Sequence, residues 1–231
     1  MALSKRRNKM ASDPAPKGNP VIAVDGPAAS GKGTIARALA KHFSLPHMDT
    51  GLLYRAVALN LWRWGGDPNN EFEALRACGE LGLDPDDPEL RSEPVSRIAS
   101  RISAYPSVRT ALLERQQEFA GQPGGAVLDG RDIGTVIAPD ATAKLFVTAS
   151  AEVRAQRRMR ELMSRGMPAH YDDVLIDIRS RDERDSCREV APLKQAPDAM
   201  LLDTSELDVE AAIAAAIQLV EARLSGSRNT T

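Results

Sequence analysis

The chain has 231 residues, 42% of them apolar, with a formal net charge of −2 and two cysteines. That is enough apolar sequence for one sizeable α/β core, and too near neutrality for a global basic field aimed at nucleic acid. No apolar run approaches membrane-spanning length and no signal-peptide core opens the chain; Cys78 and Cys187 stand far apart without metal-ligand spacing, so free thiols and a cytoplasmic location are expected.

Residues 1–20 are polar and proline-containing, with Lys5, Arg6, Arg7 and Lys9 clustered, and are expected to be a disordered leader. A single domain is expected over 21–226, followed by a flexible tail at 227–231. Short continuous apolar runs at 21–24, 45–48, 126–128, 145–147 and 200–202 read as strands covered on both faces. Helical spacing separates them: Ile35, Leu39 and Phe43; Leu53, Val57 and Leu61; residues 108–119; and an alanine-rich stretch at 209–224 with Ile213, Ile217 and Val220 on one side. Alternation of this kind predicts an α/β doubly wound sheet of five parallel strands, with ligands beyond the carboxyl ends of the strands. The stretch 65–97 is rich in proline, glycine and aspartate and reads as an insertion of loops and short helices. Trp62 and Trp64 flank it and read as packing residues. The histidines, His42, His47 and His170, do not cluster, and no serine–histidine–acid arrangement suggests itself.

Between the first strand and the first helix stand Gly26, Pro27, Ala28, Ala29, Ser30, Gly31, Lys32, Gly33 and Thr34. A strand, a glycine-rich loop and a helix N-terminus form a cradle for a nucleoside triphosphate: backbone N–H groups converge on one anion, and Lys32 adds a point charge at the β/γ-phosphates. Gly33 intervenes where the usual motif has its hydroxyl residue, and Thr34 supplies that hydroxyl for Mg²⁺. Four strand candidates run into an aspartate. Asp25 and Asp203 read as loop braces; Asp49 and Asp129 lead into glycine- and arginine-containing segments and read as site residues.

A phosphoryl-transfer enzyme must hold two polyanions against their repulsion, so cations beyond Lys32 are needed. Arg55 follows the second strand by one helical turn, Arg109 opens a helix, and Arg131 and Asp132 lie in a loop with Gly130 and Gly134. From 154 to 188 the cations are all arginine, whose fork suits phosphate oxygens better than a lysine does. Two helices carrying them, joined through Gly166 and Pro168, read as a mobile lid over about 152–190, too charged to be buried before polyphosphate arrives.

With these segments in hand, the chain resembles the bacterial cytidylate kinases, which are P-loop kinases. The match rests on Val24-Asp25-Gly26-Pro27, Ser30 to Thr34, Asp49-Thr50-Gly51 with Tyr54-Arg55, Asp129-Gly130-Arg131-Asp132, Gly134-Thr135, Arg157-Arg158, Arg181-Asp182 with Arg184-Asp185, and Val190 to Leu193. The resemblance implies ATP and Mg²⁺, a CMP or dCMP acceptor, no nucleic-acid or membrane partner, and a monomer. It implies Gly26 to Thr34 and Arg157 on the ATP side, and Thr34 as the metal-side hydroxyl. On the CMP side it implies Thr50, Arg55, Ser100, Arg109, Asp129, Arg131, Asp132, Arg181 and Asp185, with Lys32, Arg131, Asp132, Arg184 and Arg188 as catalytic residues. Two departures stand out: Thr50 replaces a serine, and residues 83–93 are too short and proline-rich for the small antiparallel sheet often found in the family's insert, here about 63–104. The alternatives left open are a kinase for another small acceptor such as UMP and a non-catalytic nucleotide-binding switch.

Overall fold

The structure is a computed structural model that describes residues 20–79, 81–82 and 84–226. The basic leader cluster and the tail at 227–231 lie outside the described residues. Five strands, β1 (Val21–Asp25), β2 (His47–Asp49), β3 (Ala126–Gly130), β4 (Ala143–Thr148) and β5 (Met200–Asp203), form one sheet in the order β2-β3-β1-β4-β5. Every pairing is parallel. The α/β class and the five-stranded parallel sheet are therefore as the sequence predicts.

The period-two alternation of β1 distributes the core. Ile22 and Val24 pack with Ile35, Leu39 and Val220 on the face covered by α1 (Lys32–Phe43) and α8 (Val209–Gly226), while Ala23 packs with Leu128 and Ile133 on the other face. Each such side chain, when fully buried, contributes roughly 1.5–3 kcal/mol by removal from water. A second core lies outside the sheet. It joins α2 (Thr50–Arg63), α3 (Glu71–Arg76), α4 (Glu93–Ile102) and α5 (Pro106–Ala120) through Val57, Leu61, Leu90, Ile102 and Leu112, all essentially without solvent contact. A third is the seam between α6 (Ala151–Ser164) and α7 (Tyr171–Cys187), where Ala155, Leu162, Val174 and Ile178 close against Ala28.

Several local expectations are corrected. β2 begins at His47, not at residue 45, because Pro46 has no N–H to give the ladder; its carbonyl still accepts from Val127 N at 2.9 Å. α4 is a full ten-residue helix inside the insertion, capped by Ser92 Oγ accepting from Val95 N, with Pro94 in its first turn, where no N–H is required. Among the described residues the insertion contains no strand. Trp62 and Trp64 are not core packing: they are 51% and 46% exposed, and Arg76 lies over the Trp64 ring at 5.2 Å. Nor are α6 and α7 too charged to be buried without ligand, since the apolar seam between them is closed.

Candidate active site

The loop after β1 wraps tightly because two glycines allow it. A side chain at Gly26 (φ 153°) would begin 2.0 Å from Val147 O, and Gly31 (φ 88°) takes the left-handed conformation that starts α1. Thr34 N and Ile35 N then bond Gly31 O at 3.0 and 3.1 Å. Lys32 Nζ curls back to Pro27 O at 3.2 Å. Burial and then the nearby Arg131 guanidinium pull its ammonium down to about 7. A cation held this uncomfortably gains most from an arriving polyanion. Ser30 Oγ is buried with no hydrogen-bond partner, a further polar group turned into the loop without satisfaction.

The loop forms one wall of a cleft of about 890 Å³. Ala28, Ala29, Ser30, Gly31, Lys32, Gly33 and Thr34 line it, whereas Gly26 and Pro27 sit behind it as the loop's support. A side chain at Gly26 would meet Val147 O, and the Pro27 carbonyl accepts from Lys32 Nζ. Asp25 is a brace, as read from the sequence. Its two oxygens accept from Ile133 N and Gly134 N, each at 2.8 Å, and its burial pushes the carboxyl up to about 6 against those bonds. They hold the π-helical turn Ile133–Ile137, which the sequence did not reveal, and so fix the loop carrying Arg131 and Asp132. Asp203 braces likewise, accepting from Ser205 N and Oγ.

The opposite wall is a network of arginines and carboxylates. Arg109 pairs with Asp132 through a short contact, and Arg188 Nη2 stands 3.6 Å from the other Asp132 oxygen. Arg131 Nε donates to Asp185 Oδ2 at 2.8 Å, with Arg181 Nε at 4.0 Å from the same oxygen. Burial alone would raise the Asp185 carboxyl, but Arg131 and Arg181 outweigh it and hold it below its usual range. Burial, then repulsion by Arg131, brings the Arg181 guanidinium down to about 10. Arg181 Nε and Arg188 Nη2 are buried and make no hydrogen bond. Arg109, Arg131, Arg181 and Arg188 thus line the cleft as a group of guanidinium cations only partly offset by Asp132 and Asp185.

The remaining candidates line the same cleft but are engaged elsewhere. Arg55 donates to Leu90 O (3.0 Å) and Ser96 Oγ (2.6 Å), tying α2 to α4. Thr50 Oγ1 donates to Asp129 O at 2.9 Å. Arg184 spans Ser180 Oγ (2.8 Å) and Ser100 Oγ (3.4 Å). Arg157 braces the turn after β5, donating to Thr204 Oγ1 at 2.9 Å and Thr204 O at 2.6 Å.

Four further side chains have partners that sequence reading missed. Arg154, counted there with the phosphate-facing arginines, is buried as a strut: it forks onto Asp182 at 2.6 and 2.9 Å and reaches Ala28 O at 3.3 Å, joining α6, α7 and the loop. Arg158 crosses to Glu93 at the start of α4 through a short contact. His47 pairs with Asp129, and the Tyr54 ring lies under Arg109 at 5.7 Å. Arg154, Arg158 and Tyr54 were visible as members of motifs, and His47 by its proximity in sequence to Asp49; their partners were not.

The family model described as cytidylate kinase matches residues 22–222, almost the whole described chain. The chain belongs to the cytidylate kinase family. It is 59% identical over 208 residues to the cytidylate kinase of Xanthobacter autotrophicus, covering 89% of this chain and 99% of that one. With the cytidylate kinase of Methylocella silvestris the identity is 58% over 202 residues, covering 87% and 94%. Among solved structures, an uncharacterised protein from Eubacterium ventriosum superposes with a TM-score of 0.55 at 15% identity, covering 89% of this chain and 99% of that one, a likeness of fold alone. The protein is thus an enzyme of the nucleoside monophosphate kinase class. No helix among the described residues is long and apolar enough to cross a membrane.

Proposed function

We propose that this cleft transfers the γ-phosphoryl group of ATP to a phosphate oxygen of CMP or dCMP. The P–O bond from the γ-phosphorus to the β–γ bridging oxygen breaks, a bond from that phosphorus to the acceptor oxygen forms, and ADP leaves with CDP or dCDP. The observation that carries the reading is that one cleft is lined on one side by the glycine-rich loop with Lys32 and on the other by the guanidinium groups of Arg109, Arg131, Arg181 and Arg188. Two such walls are unnecessary for a protein that only binds one nucleotide. The acceptor oxygen is already anionic, so no strong base is required and positioning with charge neutralisation carries the rate.

The ATP phosphates lie along residues 28–34, with the Lys32 ammonium at the transferring group and Arg157 at the far side of the turn after β5. Arg55, Arg109, Arg131 and Arg181 hold the CMP phosphate, while Asp129, Asp132, Asp185, Ser100 and Thr50 offer carboxylates and hydroxyls to the cytosine amino group or the ribose hydroxyls. Reading a base with buried polar pairs discriminates strongly, because a wrong base leaves those groups unpaired. Helices α6 and α7, about 152–190, act as the lid, delivering Arg184 and Arg188; the insertion, about 63–104, is the acceptor-side unit.

The described residues contain no group of three or more histidines, cysteines or carboxylates able to cage a metal. That donor set fits Mg²⁺, which keeps waters and binds mainly through substrate phosphates, with the Thr34 hydroxyl as its protein ligand. When bound it supplies charge neutralisation at the β- and γ-oxygens. A monomer acting in the cytoplasm is part of the same proposal. The test is a coupled ADP-release assay across CMP, dCMP, UMP and AMP. CMP and dCMP should be used far better than the other two, and faster turnover of UMP or AMP would overturn the acceptor assignment.

A further inference from the structure

β2 and β3 pair in parallel with His47 opposite Val127 and Asp49 opposite Asp129. Val127 packs in the cluster with Ile35 and Ala36 of α1. Period-two alternation therefore turns Asp129 toward α1 as well, under the start of the phosphate-binding helix. The Asp129 side chain is 4% exposed. One of its oxygens, Oδ1, lies 2.8 Å from His47 Nε2; a carboxylate only accepts, so Nε2 is the donor. The other, Oδ2, lies 3.6 Å from where a side chain at Gly33 would begin. Among the described residues His47 is the one side chain that hydrogen-bonds this carboxylate.

The surroundings explain why such a partner is needed. Lys32 and Arg131 both lie within electrostatic reach of Asp129, and both are the cations that the proposed mechanism directs at phosphates. A buried carboxylate with no hydrogen-bonding partner takes the nearest charged donor, because leaving it unpaired is costly. We infer that His47 is a positioning residue: by occupying Asp129 Oδ1 it holds the carboxylate beneath the loop and keeps it from capturing Lys32 or Arg131, leaving those cations free for the substrates' phosphates. The histidine touches neither substrate. It acts through Asp129, and the inference rests on the reading of residues 28–34 as the ATP site.

The test uses the full-length protein and three substitutions. His47→Phe removes the donor at similar bulk; His47→Gln restores an N–H at the position of Nε2; Asp129→Asn removes the charge that would be misdirected. Calorimetric titration with MgATP in the absence of CMP is the first readout. Binding by the unaltered protein checks the ATP-site reading independently. His47→Phe should weaken MgATP binding by about tenfold, a change of about 1.4 kcal/mol, and lower kcat/KM at least as much. His47→Gln should stay within about threefold of the unaltered protein, and in the Asp129→Asn background His47→Phe should cost nothing further. If His47→Phe does not fold, His47→Val, which suits an edge strand, takes its place. The inference is overturned if glutamine is as damaging as phenylalanine, if the two single losses simply multiply in the double variant, or if His47→Phe lowers the melting temperature while MgATP binding and kcat are unchanged.

Discussion

Replacing Lys32 by methionine should make the nucleotide-free protein inactive and more stable. In the folded chain, burial and Arg131 move the lysine from 10.5 down to about 7. Below about pH 7 the side chain is charged in both folded and unfolded states, so the whole cost of burying that charge is felt. Between about 7 and 10.5 the unfolded chain binds a proton that the folded chain does not, so stability rises with pH as the cost is relieved. At about 1.4 kcal/mol per tenfold change in proton affinity, the full displacement corresponds to about 5 kcal/mol. The cleft is open to water and Lys32 is only partly covered, which screens the charge and reduces the figure to roughly 1–3 kcal/mol. For a chain of this size each kcal/mol moves the melting temperature by about 2–4 °C. Lys32→Met should therefore melt roughly 2–12 °C higher at pH 6.5 in buffer free of phosphate and nucleotide, and the gain should vanish toward pH 10. Saturating MgATP should reverse the order by stabilising the unaltered protein alone. A lower melting temperature for the variant at pH 6.5, or a gain that persists unchanged at pH 10, would refute the reasoning.

Arg131→Ala should reduce CMP use by orders of magnitude yet spare ATP binding without CMP; calorimetry showing lost ATP binding with intact CMP binding would reverse the assignment. Asp25→Ala strips the acceptor from two buried N–H groups, at Ile133 and Gly134. At about 1–3 kcal/mol each, the loss should appear as a lower denaturant midpoint, together with lower kcat as the Arg131 loop loosens; an unchanged midpoint would show that the brace is dispensable. Hydrogen exchange across 154–188 should slow most with ATP and CMP bound together. The Arg154–Asp182 strut and the apolar seam should keep the inner ends of α6 and α7 protected even without ligand, so the added protection belongs to the outer ends; complete protection of the whole span in the free protein would remove the lid.

What the sequence determined by itself is local or periodic. Continuous apolar runs located every strand to within a few residues, because a doubly covered strand has no polar face to break the run. Gly26, Gly31, Lys32 and Thr34 announced an anion site, because a backbone that must wrap a phosphate tolerates few other residues at those positions. Aspartates following strands announced the functional edge of a parallel sheet. What only the tertiary structure decided is which charge meets which. Arg154 and Arg181 are indistinguishable as letters, both on charged helices, yet one is a strut locked onto Asp182 and the other lines the cleft beside Asp185. The seam that buries part of α6 and α7 was hidden because Leu162 and Val174 belong to different helices and become one surface only when the pair closes. His47 looked solitary, since a residue 82 positions away completes its pair. Backbone conformation is dictated over a few residues and can be read from them; the partner of a charged side chain is set by distance in space, which the chain's order does not carry.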